Sequence, residues 1–214
     1  MLGRFITFEG GEGCGKSTQA SLLSAYLQNK CIKTVLTKEP GGTPEGQILR
    51  QLLVTGDKDK FDAISECLLY CADRRNHLNK VVWPEMKKGK WVISDRYADS
   101  TEAYQYYGYE KRVDFATLQG LYKIVAGDFK PDLTFILDIE PEKGMRRSFA
   151  KAQTMEVKEL RFESRQIEFH HNLRQGFLEI AKRDPERCVV INADAAIEEI
   201  HRRIVETVTE KFGI

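Results

Sequence analysis

The stretch RFITFEGGEGCGKST, Arg4–Thr18, joins an apolar run of strand type to a glycine-rich segment ending in lysine and two hydroxyl residues. Gly10-x4-Gly15-Lys16-Ser17 has the Walker A spacing. The motif is informative when a strand precedes it and a helix follows. Here RFITFE precedes it, and an apolar repeat through Leu22 and Tyr26 predicts the helix. Glycines at such positions let the backbone N–H groups turn inward around phosphate, and the helix N-terminus adds partial positive charge. The segment Gly10, Gly11, Glu12, Gly13, Cys14, Gly15, Lys16, Ser17 and Thr18 is therefore expected to cradle a nucleoside triphosphate. Lys16 would reach its β- and γ-phosphates and Ser17 would hold Mg²⁺. Glu12 is out of keeping with a simple phosphate cradle, and Cys14 reads as a tolerated small residue.

The rest of the chain repeats the strand–helix alternation. KTVLT (Lys33–Thr37), WVIS (Trp91–Ser94), LTFILD (Leu133–Asp138) and CVVIN (Cys188–Asn192) read as four further buried strands. Phe115, Leu118, Tyr122 and Val125 mark one intervening helix, and Ile197, Ile200, Ile204 and Val208 mark the last. Near-continuous apolar strands alternating with helices predict a five-stranded parallel sheet covered on both faces, a three-layer α/β/α P-loop NTPase fold. Ligands on such sheets bind beyond the carboxyl ends of the strands. At 214 residues the chain is expected to form one domain, 1–214, with its P-loop at 10–18. The highly charged segment Arg146–Leu160 fits either a solvated helical face or a mobile cover over the site.

Thirty-three Lys+Arg against thirty-two Asp+Glu give a net charge of +1, which provides no push towards nucleic acid. The apolar runs are too short to cross a bilayer, and no signal-peptide h-region is seen. Five cysteines without CxxC pairs fit a reducing interior, so cytoplasmic residence is expected. Cys67, Cys71 and His77 are read as packing residues rather than zinc ligands, with His77 at the surface or an interface.

Asp95-Arg96 ends the WVIS strand, where ligand chemistry belongs. Asp95 is expected to act as a Walker-B-like carboxylate, with Glu9 as a further candidate metal ligand, and Arg96 to grip a phosphoryl oxygen. Asp138 is the rival carboxylate, ranked lower because no cation neighbours it in sequence. Glu66, Tyr70, Arg74 and His77 share one helical face, on which Tyr70 and Arg74 could stack on a base and hold its phosphate. A GTPase switch is disfavoured: DxxG is absent, and neither Asn29-Lys30 nor Asn79-Lys80 is completed by aspartate. Arg50, Arg74, Arg96, Arg146 and Arg147 exceed what hydrolysis needs and suit transfer between two anionic substrates.

FEGGEGCGKST, EPGGTPEGQILRQLL, LLYCADRRNHL, SDRYADSTEAYQ and KPDLTFILDIEPEKG together resemble the bacterial thymidylate kinases, in order from about residue 5 to residue 165. The resemblance implies ATP- and Mg²⁺-dependent phosphorylation of dTMP to dTDP in dTTP biosynthesis, by a homodimer. It assigns Glu12 to the dTMP 3′-hydroxyl, Arg50 and Arg96 to the acceptor phosphate, Arg74 to base and phosphate, and Tyr70 to thymine. Pro40, Ser100, Tyr104 and Gln105 would line the remainder of that pocket. Family members with glycine at the position of Gly13 bring a lid arginine to the phosphates, which favours a helical lid over about 144–161 and makes Arg147 the leading candidate. Arg146, Lys151 and Arg161 are alternatives. Lys38-Glu39-Pro40 stands where Arg-Glu-Pro is usual, Gln47 where glutamate is common, and Leu160-Arg161 where Asp-Arg is frequent. Another nucleoside monophosphate kinase, of UMP/CMP type, is the runner-up, followed by a non-catalytic P-loop switch.

Overall fold

A computed structural model describes residues 3–57, 59–153, 162 and 165–214. Among them five strands form one parallel sheet in the order β2-β3-β1-β4-β5. β1 is Phe5–Glu9, β2 Thr34–Lys38, β3 Trp91–Asp95, β4 Leu133–Asp138 and β5 Cys188–Asn192. β1 lies at the centre, pairing Phe8 with Asp95 of β3 and Glu9 with Ile136 of β4. This register brings Glu9, Asp95 and Asp138 to one end of the sheet. The expectation of five buried strands needs correction at the margins. β2 and β5 are edge strands with residues such as Leu36 and Val190 exposed, because each has a neighbour on one side only.

The pleat sends alternate side chains of β1 to opposite faces. Ile6 and Phe8 pack with α1 (Lys16–Asn29) and α9 (Ile197–Phe212), through Leu23, Leu27, Ile200, Ile204 and Val208. Phe5 packs on the other face with Leu78, Val82 and Val125. The core stripe of α1 thus runs through Leu23 and Leu27, with Leu22 and Tyr26 flanking it. Ile197 of the last helix's apolar repeat is exposed.

The second helical layer contains α3 (Ala63–His77), which continues as a π-helical turn over Leu78–Val82 into α4 (Trp83–Lys87). Beside α3 lie α2 (Pro44–Val54) and α6 (Phe115–Ala126). Thr43 caps α2 by accepting from Gly46 N, while Asp62 and Asp114 do the same for α3 and α6. A short helix, α5 (Ala98–Glu102), leads into a π-helical segment, Ala103–Gly108, that packs on α8 (Ile167–Arg183) through Gly108 and Gly176. α7 (Pro141–Ala152) opens the expected lid. The remainder of that span, 154–161, lies outside the described residues and takes Arg161 with it. No helix among the described residues is long and apolar enough to cross a membrane.

Candidate active site

The glycine-rich loop turns directly into α1, whose N-cap, Gly15, supplies no side chain and leaves the first N–H groups open. Lys16 is largely buried and folds back over the loop, donating to the carbonyls of Gly10 (3.1 Å) and Gly11 (2.7 Å). Cys14 packs into the core beneath, as a small apolar residue would. Ser17 Oγ donates to Asp95 Oδ2 at 2.5 Å. These two side chains face a broad groove of about 720 Å³ that runs along the loop to Arg147, Ser148 and Ile197.

Gly13 is fixed by geometry. Its φ is +65°, and a Cβ there would lie 1.9 Å from the carbonyl oxygen of Gly144 in α7. The reverse approach is as close, since a Cβ on Gly144 would lie 2.4 Å from Glu12 O. The base of the expected lid therefore sits directly on the P-loop, and an arginine at position 13 has no room. From α7, Arg147 donates to Ala193 O (3.0 Å), with Asp194 3.7 Å away, and edges the groove. Arg146 is exposed.

Glu12 also borders a second, smaller cavity of about 120 Å³. Its carboxylate accepts from Arg96 Nη2 at 3.0 and 3.1 Å and from the Tyr104 hydroxyl. Burial acts to raise its pKa, but Arg96 and then Lys16 prevail and hold it at about 2. Arg96 also donates to Gly10 O (2.9 Å), Ser100 Oγ (3.0 Å) and the Tyr104 hydroxyl (2.8 Å). Pro40, Arg50, Tyr70, Arg74 and Ser100 line the same cavity. Glu12, Glu39, Arg50 and Arg96 border both groove and cavity, so the two meet at a wall rich in arginine.

Several expectations are corrected. Glu9 is not exposed to the groove: it is fully buried, with Oε1 accepting from Tyr97 N (2.7 Å) and Oε2 from Ser100 Oγ (2.5 Å). Burial first, and then Asp99 beside it, push its carboxyl up to about 7. Gln105 does not line the cavity; it is buried behind it, donating to Glu66 of α3 (3.0 Å). His77 is not at the surface. It is fully buried between Glu39 (2.8 Å) and Thr37 (2.7 Å), because the face carrying Glu66, Arg74 and His77 turns inward. Asp138 does have a cation beside it, since Arg174 of α8 pairs with it at 2.7 Å. Arg74 borders the cavity, yet its charge is already engaged by Glu39 (2.8 Å), and it also donates to Tyr97 O and Thr101 Oγ1. Cys67 and Cys71 lie in separate apolar clusters, as packing residues do.

Sequence reasoning overlooked Glu39, Val54, Tyr97, Thr101 and Phe162 in the cavity wall. Glu39 adjoins Pro40, to which it is joined by a cis peptide bond, and Thr101 lies one helical turn after Tyr97. Both could have been read from their motifs. Phe162, which meets Tyr104 edge-on at 5.1 Å, follows the charged lid segment and carries no local signal.

A triphosphate cradle meeting a second, smaller cavity at an arginine-rich wall defines a P-loop phosphotransferase of the nucleotide kinase class. The family model for thymidylate kinase matches residues 8–204. A thymidylate kinase of Bradyrhizobium sp. (strain ORS 278) is 42% identical over 210 residues, covering 98% of this chain and 91% of the relative. One from Afipia carboxidovorans is 44% identical over 211 residues, covering 99% and 91%. The crystal structure of thymidylate kinase from Ehrlichia chaffeensis has a TM-score of 0.77 at 35% identity, covering 98% of this chain and 99% of that one. The chain belongs to the thymidylate kinase family.

Gly13→Ala is expected to cost on the order of 2–4 kcal/mol, from overpacking plus an unfavourable φ. For a chain of this size that lowers Tm by about 4–16 °C. Gly11→Ala, at a position with open space around it, leaves Tm within about 2 °C. Differential scanning calorimetry of the two variants checks the contrast.

Proposed function

We propose that this protein transfers the γ-phosphoryl group of ATP to the phosphate of dTMP, giving dTDP. The meeting of the groove and the cavity at Glu12, Arg50 and Arg96 carries this reading. Two nucleotides placed there would bring their phosphates together at a wall able to offset the charge. Family membership favours thymidylate as the acceptor.

In this reading the whole chain, 1–214, is one kinase domain. The N-terminus of α1 and Lys16 hold the donor phosphates. Ser17 and Asp95 offer adjacent hydroxyl and carboxylate oxygens open to the groove, a donor set suited to Mg²⁺. That ion would offset charge on the donor phosphates when bound. Arg96 and Arg50 bind the acceptor phosphate and Glu12 accepts from the sugar 3′-hydroxyl. Tyr70 and Pro40 flank the base, with Ser100, Tyr104 and Arg74 completing the pocket. The acceptor phosphate is already anionic at neutral pH, so placement and charge stabilisation carry the rate without a strong base. Because Gly13 supplies no charge, Arg147 brings it from α7. Five unpaired cysteines support a cytoplasmic setting.

The turnover of dTMP, dUMP, UMP, CMP and AMP with ATP, measured side by side, tests the assignment. dTMP is expected to be the best substrate, and equal or greater rates with UMP or CMP would sink it. Lys16→Ala should abolish ADP formation in the same assay.

Arg147→Ala should lower kcat by at least about tenfold and change the KM for dTMP by less than about threefold, because its partner charge develops during transfer. Steady-state kinetics with each substrate varied in turn decide this. An unchanged kcat moves the role to another lid residue.

A homodimer is proposed on the outer face of adjacent helices α2, α3 and α6, where Ile48, Leu52, Ile64, Leu68 and Ile124 are exposed. Sedimentation should show twice the 24.6 kDa chain mass. Leu68→Glu combined with Ile124→Glu should shift the species to one chain, and an unmodified chain that sediments as a monomer refutes the interface.

A further inference from the structure

Arg96 holds an unusual position. Its φ is +72°, in the left-handed region that non-glycine residues seldom occupy, so the surrounding structure must impose it. Three contacts do so locally. Arg96 N donates to Phe8 O (2.9 Å), Ser94 Oγ donates to Arg96 O (2.8 Å), and Tyr97 N donates to Glu9 Oε1 (2.7 Å). The guanidinium is then steered from below, because Arg96 Nη1 donates to Ser100 Oγ (3.0 Å) and Ser100 donates onward to Glu9 Oε2 (2.5 Å). Glu9 grips both ends of this arrangement, the peptide after Arg96 and the serine under its guanidinium.

We infer that Glu9 is a positioning residue for the acceptor phosphate, acting on Arg96 through Ser100 and the Tyr97 peptide. The inference rests on the reading of Arg96 as a ligand of that phosphate. Glu9 itself touches neither groove nor cavity. It is wholly buried, and burial together with neighbouring Asp99 opposes its charge. Such a carboxylate is sustained by the hydrogen bonds it accepts and by the cation near it. Ser100 has one hydroxyl hydrogen, and giving it to Glu9 turns the oxygen's lone pairs towards Arg96. Replacing the carboxylate by an amide of the same shape places an N–H₂ or a carbonyl opposite Ser100 and Tyr97, and satisfies at most one of them as the carboxylate does. The chain of donors that holds Arg96 is then broken without opening a cavity.

The test compares Glu9→Gln, Ser100→Ala, the double variant and Arg96→Lys, each confirmed folded by circular dichroism and melting. Glu9→Gln is expected to lower kcat/KM for dTMP about tenfold, the scale of one lost charge-assisted hydrogen bond. Its KM for ATP should stay within about twofold of the parent. In the Ser100→Ala background the same substitution should add less than about twofold, since residues acting through one another are not additive. Fully additive effects, equal losses for both substrates, or no loss in Glu9→Gln each overturn the inference. Should Glu9→Gln not fold, a Ser100→Ala variant with unaltered dTMP kinetics overturns it as well. Arg96→Lys tests the underlying reading separately. If dTMP kinetics survive that change, the role of Arg96 falls; if they collapse while Glu9→Gln is silent, only the role of Glu9 falls.

Discussion

The guanidinium of Arg96 is the point on which the site depends. It joins the P-loop carbonyl of Gly10, the Glu12 carboxylate, Ser100 and Tyr104, so the loop after β1, the turn after β3 and α5 share one cation. Removing a charge from such a network leaves the opposite charge buried and unpaired, which costs far more than an exposed pair is worth. The sheet makes the junction possible. β1 and β3 are adjacent and parallel, so the segments that follow them emerge side by side at the same end. A second buried set, Glu39 with Arg74 and His77, ties the loop after β2 to α3 and closes the far wall of the cavity.

Much of the fold was legible because it depends on local pattern. Strands β4 and β5 match their apolar runs residue for residue, and the other three differ by a residue at one or both ends. The Walker A spacing located Lys16 and Ser17, and the DRY segment located Arg96. What was misread depends on which way a helix face turns. The row Glu66, Tyr70, Arg74, His77 was correctly placed on one face, but periodicity does not say that this face packs against the loop bearing Glu39. His77 was therefore placed outside when it is inside. Asp138 was misjudged for a related reason: its cation, Arg174, comes from 36 residues further on. Glu9 and Gln105 sit next to functional segments in sequence while their side chains turn away from the cavity, which strand alternation and the π-helical segment decide.

The contact between Gly13 and Gly144 fixes how α7 meets the P-loop. Two backbones that approach this closely leave no side chains between them to slide or repack. The first turn of α7 is thereby seated on the loop. Arg147 is three residues past Gly144 and rests on Ala193.

The acceptor wall also has a property that concerns ions rather than nucleotides. Arg96 is matched by Glu12, Arg74 by Glu39, and Arg50 donates to the Pro40 carbonyl. The cavity thus does not offer bare positive charge. In the proposed reading, a phosphate entering here competes with Glu12 for Arg96, while Tyr104 still donates to the carboxylate. In the same reading the sugar hydroxyl of a nucleotide gives Glu12 a further donor, which sulfate lacks. The wall carries its own counter-charge, so an anion that enters meets a carboxylate beside each of two arginines.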